Sequence, residues 1–262
     1  MNLEFWQQQK PDGPLFPDVQ WSKPEQKSKR GKLLIVGGSP HGFMAVGKSF
    51  TVASQAGTGQ VKVALPDVMK KSMPPTFSEG IFLPTNPSGG FSKDGLTELL
   101  AAIDWADGVL LIGDSGQNSE TAILFENLLS KSDKWFTIAR DAVDLLREPS
   151  EFIANRPRTH LVMTFAQTQK LFQTVLYPKV LTFSMQLSSF VEALHKFTIT
   201  YPVTLTIFHQ ENIVMAHDGQ VISQKFSDSF SFIDGTTATK SASYLLWNQE
   251  KPLEAIASSL QI

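Results

Sequence analysis

Gly37-Gly38-Ser39 and Gly113-Asp114-Ser115-Gly116 combine the residue types that hold an anion. Glycine accepts positive φ and lets backbone N–H groups come close to a ligand. A helix that starts just after such a turn adds a dipole favouring negative charge. Asp114 is the most suggestive carboxylate in the chain by position, at the end of a buried strand and before a helix. The plain alternatives are a tight strand-to-helix turn without a ligand, and an aspartate that caps its own turn. Gly37-Gly38-Ser39-Pro40-His41-Gly42 fits neither the dinucleotide fingerprint nor a Walker A loop, since no Gly-Lys-Ser/Thr closes it.

The elements around these turns follow from apolar patterning. Leu33-Leu34-Ile35-Val36 is a strand that stops at Gly37. Phe43, Val46, Phe50 and Ala53 recur at helical spacing, Gly57-Thr58-Gly59 breaks the helix, and Val61 to Leu65 is a second strand. This is a βαβ unit, and ligands bind outside the carboxyl ends of such strands. A helix over 94–107 leads into the apolar run Gly108 to Gly113, read as a buried parallel strand. Its turn precedes a helix over 121–129, with Ser119 as the expected N-cap. Further strands are expected at 135–139, 161–165, 203–208 and 212–216. Helices are expected at 166–175, 183–197, 234–247 and 252–260. Asp218-Gly219 signals a hairpin turn returning into Val221. His195, near a helix end, reads as structural. Asn86-Pro87-Ser88-Gly89-Gly90 reads as a surface turn rather than a lid. Alternating strands and helices followed by a hairpin imply a three-layer α/β domain over 31–262, with a mostly parallel central sheet and helices on both faces. Residues 1–30 are polar and proline-punctuated. They are expected to form an arm pinned by Phe5, Trp6, Leu15, Phe16 and Trp21, on this domain or on a neighbouring subunit.

Composition narrows the function classes. A chain of 262 residues with 23 basic and 25 acidic side chains and a net charge of −2 lacks the basic surface of a nucleic-acid or anionic-membrane binder. Without cysteine it has no disulfide, no thiolate nucleophile and no cysteine-type zinc site. Its five histidines show no metal-ligand spacing, so no metal site is expected. No apolar run reaches transmembrane length, and a cytoplasmic protein is the expectation.

From about Lys32 to Leu246 the order of turns resembles the ribokinase-like superfamily, specifically its ADP-dependent NAD(P)H-hydrate dehydratase group. Leu33 to Ser39 resembles that group's opening strand and Gly-Gly-Ser turn. Gly57-Thr58-Gly59-Gln60-Val61-Lys62-Val63-Ala64-Leu65-Pro66-Asp67 resembles its G-A-G-L-V-T-V-x-x-P-E stretch. Ala106 to Gly116 resembles A-D-A-x-x-x-G-P-G-L-G, Asp141-Ala142 the second half of D-A-D-A-L, and Gly235-Thr236 the start of G-S/T-G-D. The resemblance implies a three-layer ribokinase-like sandwich, use of ATP or ADP with Mg2+, and repair of hydrated nicotinamide cofactors. The catalytic aspartate would be the last residue of G-S/T-G-D.

The departures fall on the groups that would do that chemistry. The catalytic aspartate becomes Ala238, the preceding glycine Thr237, the glutamate of T-P-H-P-G-E becomes Gln169, and the first aspartate of D-A-D-A-L becomes Ala139. An alanine cannot take a proton, and a glutamine brings no charge to a metal. One reading is an enzyme rebuilt around Asp114 or Asp234. The favoured reading is a non-catalytic descendant that binds a nucleotide-like or other small ligand. Its expected contacts are Gly37, Gly38, Ser39, His41, Gly113, Ser115, Gly116, Asn118, Asp141, Thr164, Gln167, Gln169, Gly235, Thr236 and Thr237. The third reading is a structural or interaction protein whose crevice is filled by side chains such as Phe43, Met44 and Phe165. Expected partners are a small molecule or nucleotide and further copies of the chain, with no nucleic acid or membrane.

Overall fold

The computed structural model describes residues 4–10, 13–146 and 150–261. In chain order its elements are β1 (Trp6–Gln9), α1 (Pro17–Trp21), β2 (Lys32–Gly37), α2 (Met44–Ala56), β3 (Gln60–Pro66), β4 (Gly80–Leu83), α3 (Leu96–Trp105), β5 (Gly108–Gly113), α4 (Ser119–Lys131) and β6 (Trp135–Ala139). Then follow α5 (Asp141–Leu145), α6 (Ser150–Asn155), β7 (Thr159–Thr164), α7 (Phe165–Thr174), α8 (Leu187–Thr200), β8 (Thr204–His209), β9 (Asn212–His217), β10 (Gln220–Lys225), α9 (Ser229–Ile233), α10 (Thr236–Leu245) and α11 (Pro252–Ser259).

The strands form one sheet in the order β1-β10-β9-β8-β7-β6-β5-β2-β3-β4. All neighbours are parallel except those of β9, which is antiparallel to both β8 and β10. The expected mostly parallel sheet with a late antiparallel hairpin is therefore present. The reason lies in the continuous apolar runs, because helices cover both sheet faces. Leu34 and Val36 of β2 join one buried cluster with Leu99, Leu128, Phe172 and Phe197. Leu33 and Ile35 join the opposite cluster with Val46, Ala242 and Ile256. Each strand thus sends alternate side chains into two cores, and three layers result. Asp218 and Gly219 carry positive φ, 44° and 73°, as the Asp-Gly hairpin turn requires.

Several boundaries differ from the sequence expectation. The helix expected from Phe183 begins at Leu187. Phe183 and Met185 continue the apolar spacing but lie in the preceding connection, where Phe183 is largely exposed and packs its ring on Phe165 at 4.8 Å. Asn118, not Ser119, caps α4, its side chain accepting the Glu120 amide at 2.8 Å. The arm is part of the sheet: β1 pairs in parallel with β10, from Trp6–Val221 to Gln9–Gln224. Phe5 stacks on His195 at 3.6 Å and the Trp6 indole donates to Ser223, but Trp21 pins nothing and is exposed. His195, near the end of α8, also bonds the Gly219 carbonyl.

Candidate functional site

The chain runs β2, β3, β4 to one side and then returns to place β5 on the other side of β2. That reversal is a topological switch point, where the turns after two neighbouring strands diverge and leave a crevice. Here the turns after β2 and β5 are Gly38 to Phe43 and Asp114 to Asn118. They are tied together by the Gly38 amide, which donates to the Gly113 carbonyl at 2.9 Å. A Cβ on Gly37 would lie 2.4 Å from that same carbonyl, so only glycine allows the approach.

Two further segments complete the crevice. The turn after β6 brings Arg140 and Asp141, and α10 begins with Gly235 and Thr236. A Cβ on Gly235 would fall 2.7 Å from Ile112 Cδ1 and 3.6 Å from Arg140 Cδ. The start of α10 therefore lies directly against the end of β5 and the arginine stem.

Arg140 is the residue that sequence reasoning missed. Its Nη2 pairs with Asp114 Oδ1 at 2.7 Å and its Nη1 donates to the Ile233 carbonyl. Its carbonyl accepts from Gln167 Nε2 at 2.9 Å. Its backbone sits at φ 58°, ψ −138°, a region that non-glycine residues occupy only when their surroundings force it. In the sequence it is marked only as a lone cation between a buried strand and Asp141, which does not name its partners.

The aspartates are each held from within the chain. Asp114 Oδ2 accepts the Ala45 amide, in the first turn of α2, at 3.2 Å. Both oxygens of Asp141 accept the Asp114 amide, at 2.9 and 3.1 Å. Burial raises the pKa of Asp141 above the ordinary carboxylate value, and the hydrogen bond from the Asp114 amide works against that rise. Asp234 is buried, and its Oδ1 accepts the Thr236 amide at 2.8 Å.

The other expected contacts divide into two groups. Gly37, Gly38, Ser39, Gly113, Ser115, Asp141, Gly235, Thr236 and Thr237 lie in the four converging segments. Ser39 exchanges backbone hydrogen bonds with Gly42, and the Ser115 hydroxyl bonds the Gly113 carbonyl at 3.3 Å. His41 and Gly116 are exposed at the tips of their turns. Asn118 caps α4 and donates to Ser88 Oγ at 2.9 Å. Thr164 and Gln167 form a reciprocal capping box on α7, with Gln167 also reaching Asp144 at 2.8 Å. Gln169 turns away from the crevice and donates to the Leu181 carbonyl at 2.8 Å.

The residues expected to fill the crevice behave differently. Met44 is 69% exposed, so it plugs nothing. Phe165 is buried, stacked on His209 at 4.3 Å. The Asn86–Gly90 turn packs against the turn after β5. A Cβ on Gly90 would come within 2.7 Å of the Ser115 carbonyl, and Asn86 anchors the turn through the Phe91 carbonyl and Thr121.

No family model matches the chain. Among curated proteins, the bifunctional NAD(P)H-hydrate repair enzyme Nnr of Dictyoglomus turgidum is 30% identical over 130 residues, which is 48% of this chain and 25% of that protein. The enzyme of the same name from Moorella thermoacetica is 32% identical over 123 residues, 46% of this chain and 23% of its own length. The chain thus matches about a quarter of the length of these relatives. Among solved structures, a ribokinase-like superfamily protein from Enterococcus faecalis superposes with a TM-score of 0.74 at 14% identity, covering 100% of this chain and 87% of that one. The ADP/ATP-dependent NAD(P)H-hydrate dehydratase from Bacillus subtilis, co-crystallised with ATP/Mg2+, gives a TM-score of 0.65 at 13% identity over 95% of this chain and 86% of that one. The chain has the ribokinase-like fold and is similar to NAD(P)H-hydrate dehydratases.

Proposed function

We propose that this ribokinase-like, dehydratase-related chain binds a nucleotide-like or other small ligand in the switch-point crevice without the chemistry of its relatives. The fate of the carboxylates supports this reading. Where the resemblance would put a catalytic aspartate, Ala238 is a fully buried methyl in the first turn of α10. The two aspartates that could replace it are already engaged, Asp114 with Arg140 and the Ala45 amide, Asp234 with the Thr236 amide. A general base must reach a substrate proton within hydrogen-bond distance, and both candidates are turned into the protein's own contacts. The crevice itself is retained, with its glycines at the positions where backbones meet.

The test is a thermal-shift titration with adenosine, ADP, ATP, NADH and NADPH, with and without Mg2+, beside an assay on hydrated NADH. The expected result is a concentration-dependent rise in Tm with at least one of these ligands and no turnover. Turnover that disappears in Asp114→Ala or Asp234→Ala would replace this reading with an active enzyme built on those residues. No shift with any ligand would refute the ligand-binding reading.

A second reading, an interaction protein, is favoured by the exposed apolar side chains Leu176, Val180 and Phe183 in the connection after α7. Its signature is an oligomer whose mass does not respond to any of these ligands.

A further inference from the structure

ATP or ADP with Mg2+ is the group that the resemblance implies. It requires backbone N–H groups open to phosphate oxygens, and oxygen ligands for the metal. The residues present fit neither requirement. The first turn of α2 is taken by the Asp114 carboxylate at Ala45, and that carboxylate lies inside the first glycine turn, where a Cβ on Gly42 would be 3.3 Å from Asp114 Cγ. The Thr236 amide is taken by Asp234 and the Asp114 amide by Asp141. The Gly38 and Ser39 amides are bonded to the Gly113 and Gly42 carbonyls. Among the described residues, no group of three or more His, Cys, Asp or Glu side chains could hold a metal ion. Gln169 stands at a glutamate position of the resembled group and faces the Leu181 carbonyl.

Amides after β2 and β5 and at the start of α10 are thus taken by the chain's own carboxylates and carbonyls. Three carboxylates, Asp114, Asp141 and Asp234, lie in the converging segments, and Arg140 pairs with the first of them. We propose that the ligand carries no phosphate: it is an uncharged, nucleoside-like molecule. The Thr236 hydroxyl and Arg140 Nε are buried without a hydrogen-bond partner among the described residues, so neither is open to a phosphate oxygen. A phosphate in the crevice would meet the negative charge of these carboxylates, which an uncharged nucleoside does not. The inference rests on the ligand-binding reading and names the ligand class for that same site.

Calorimetric titration of the full chain with adenosine, AMP and ADP, each with and without Mg2+, tests it. Affinity should fall with each added phosphate, by about tenfold or more between adenosine and ADP, and Mg2+ should not restore it. Asp114→Asn keeps an oxygen for the Ala45 amide and removes the charge, so it should narrow the gap by roughly tenfold. Asp234→Asn does the same at the Thr236 amide and serves as an independent variant if the first does not fold. ADP binding to the unaltered chain as tightly as adenosine overturns the inference and leaves the ligand-binding reading standing. So does an unchanged gap in both folded variants. Failure of adenosine, AMP and ADP alike to bind overturns the inference, and if NADH and NADPH also give no thermal shift the ligand-binding reading falls with it.

Discussion

Arg140 and Asp114 meet at 2.7 Å across the mouths of adjacent strands, and each holds a backbone φ of 58°. The pair joins two strained turns by one charge-assisted hydrogen bond, with side chains 21% and 14% exposed.

Removing either partner leaves the other charge partly buried and alone, so Arg140→Ala should destabilise the fold by about 2–3 kcal/mol. Arg140→Gly should be milder than Arg140→Ala by about 1 kcal/mol, because glycine accepts the φ 58°, ψ −138° backbone. Urea melts of both variants decide the order. If alanine is the better replacement, the backbone at this position carries no strain.

Gly113 and Gly116 separate space from conformation. Both have positive φ, 85° and 73°. A Cβ on Gly113 would lie 2.0 Å from Asp141 Oδ1, whereas one on Gly116 meets nothing within 4 Å. Gly116→Ala should cost about 1 kcal/mol, and Gly113→Ala more than about 3 kcal/mol through the added displacement of Asp141. Comparable Tm values for the two variants would contradict this placement of Asp141.

The sheet centre was legible because β2, β3 and β5 are short apolar runs stopped by glycine or proline, a pattern only a doubly covered strand needs. Strand β1 was not, because Gln7, Gln8 and Gln9 carry no such pattern and their pairing is dictated by β10. The glycine turns were found from their residue types. Asn118, Thr164 and Gln167 hold helix starts, a role the sequence reading did not give them, although Thr164-Phe165-Ala166-Gln167 has the spacing of a capping box. Arg140 could not be assigned from sequence, since its partners Asp114 and Ile233 lie 26 and 93 residues away.

His160 makes the fold acid-sensitive. It is fully buried between Thr206, at 2.8 Å from Nε2, and Thr137, at 3.5 Å from Nδ1, and burial pushes its pKa down to about 3. His217, bonded to Thr204, is shifted in the same direction by burial. The unfolded chain takes up these protons near pH 6.5 and the folded chain does not. His160 therefore favours folding fully above that pH, and the advantage is lost as pH falls toward about 3. The slope attributable to His160 is about 1.4 kcal/mol per pH unit. Denaturation series at pH 7 and pH 5 should show the loss in the unaltered chain and a flatter dependence in His160→Gln.

Arg156 gathers the N-terminal ends of β6 and β7. Its guanidinium donates to the Leu129, Ser132, Lys134, Pro157 and Arg158 carbonyls and lies 4.9 Å from the Phe136 ring centroid. Lysine has neither the planar fork nor enough donors, so Arg156→Lys should cost about 2–4 kcal/mol despite keeping the charge. A loss below about 1 kcal/mol in chemical denaturation would show that the carbonyls find water instead.

Strand β1 has a consequence for the order in which the molecule is made. Gln9 bonds Gln224 across 215 residues of sequence, so β1 leaves the ribosome well before β10, the strand it docks on, is synthesised. At roughly 5–20 residues per second that interval is on the order of 10–40 s. For that time β1 lacks the strand it pairs with. Its run of polar glutamines is well suited to the wait, because it offers little to passing chaperones or to another nascent chain.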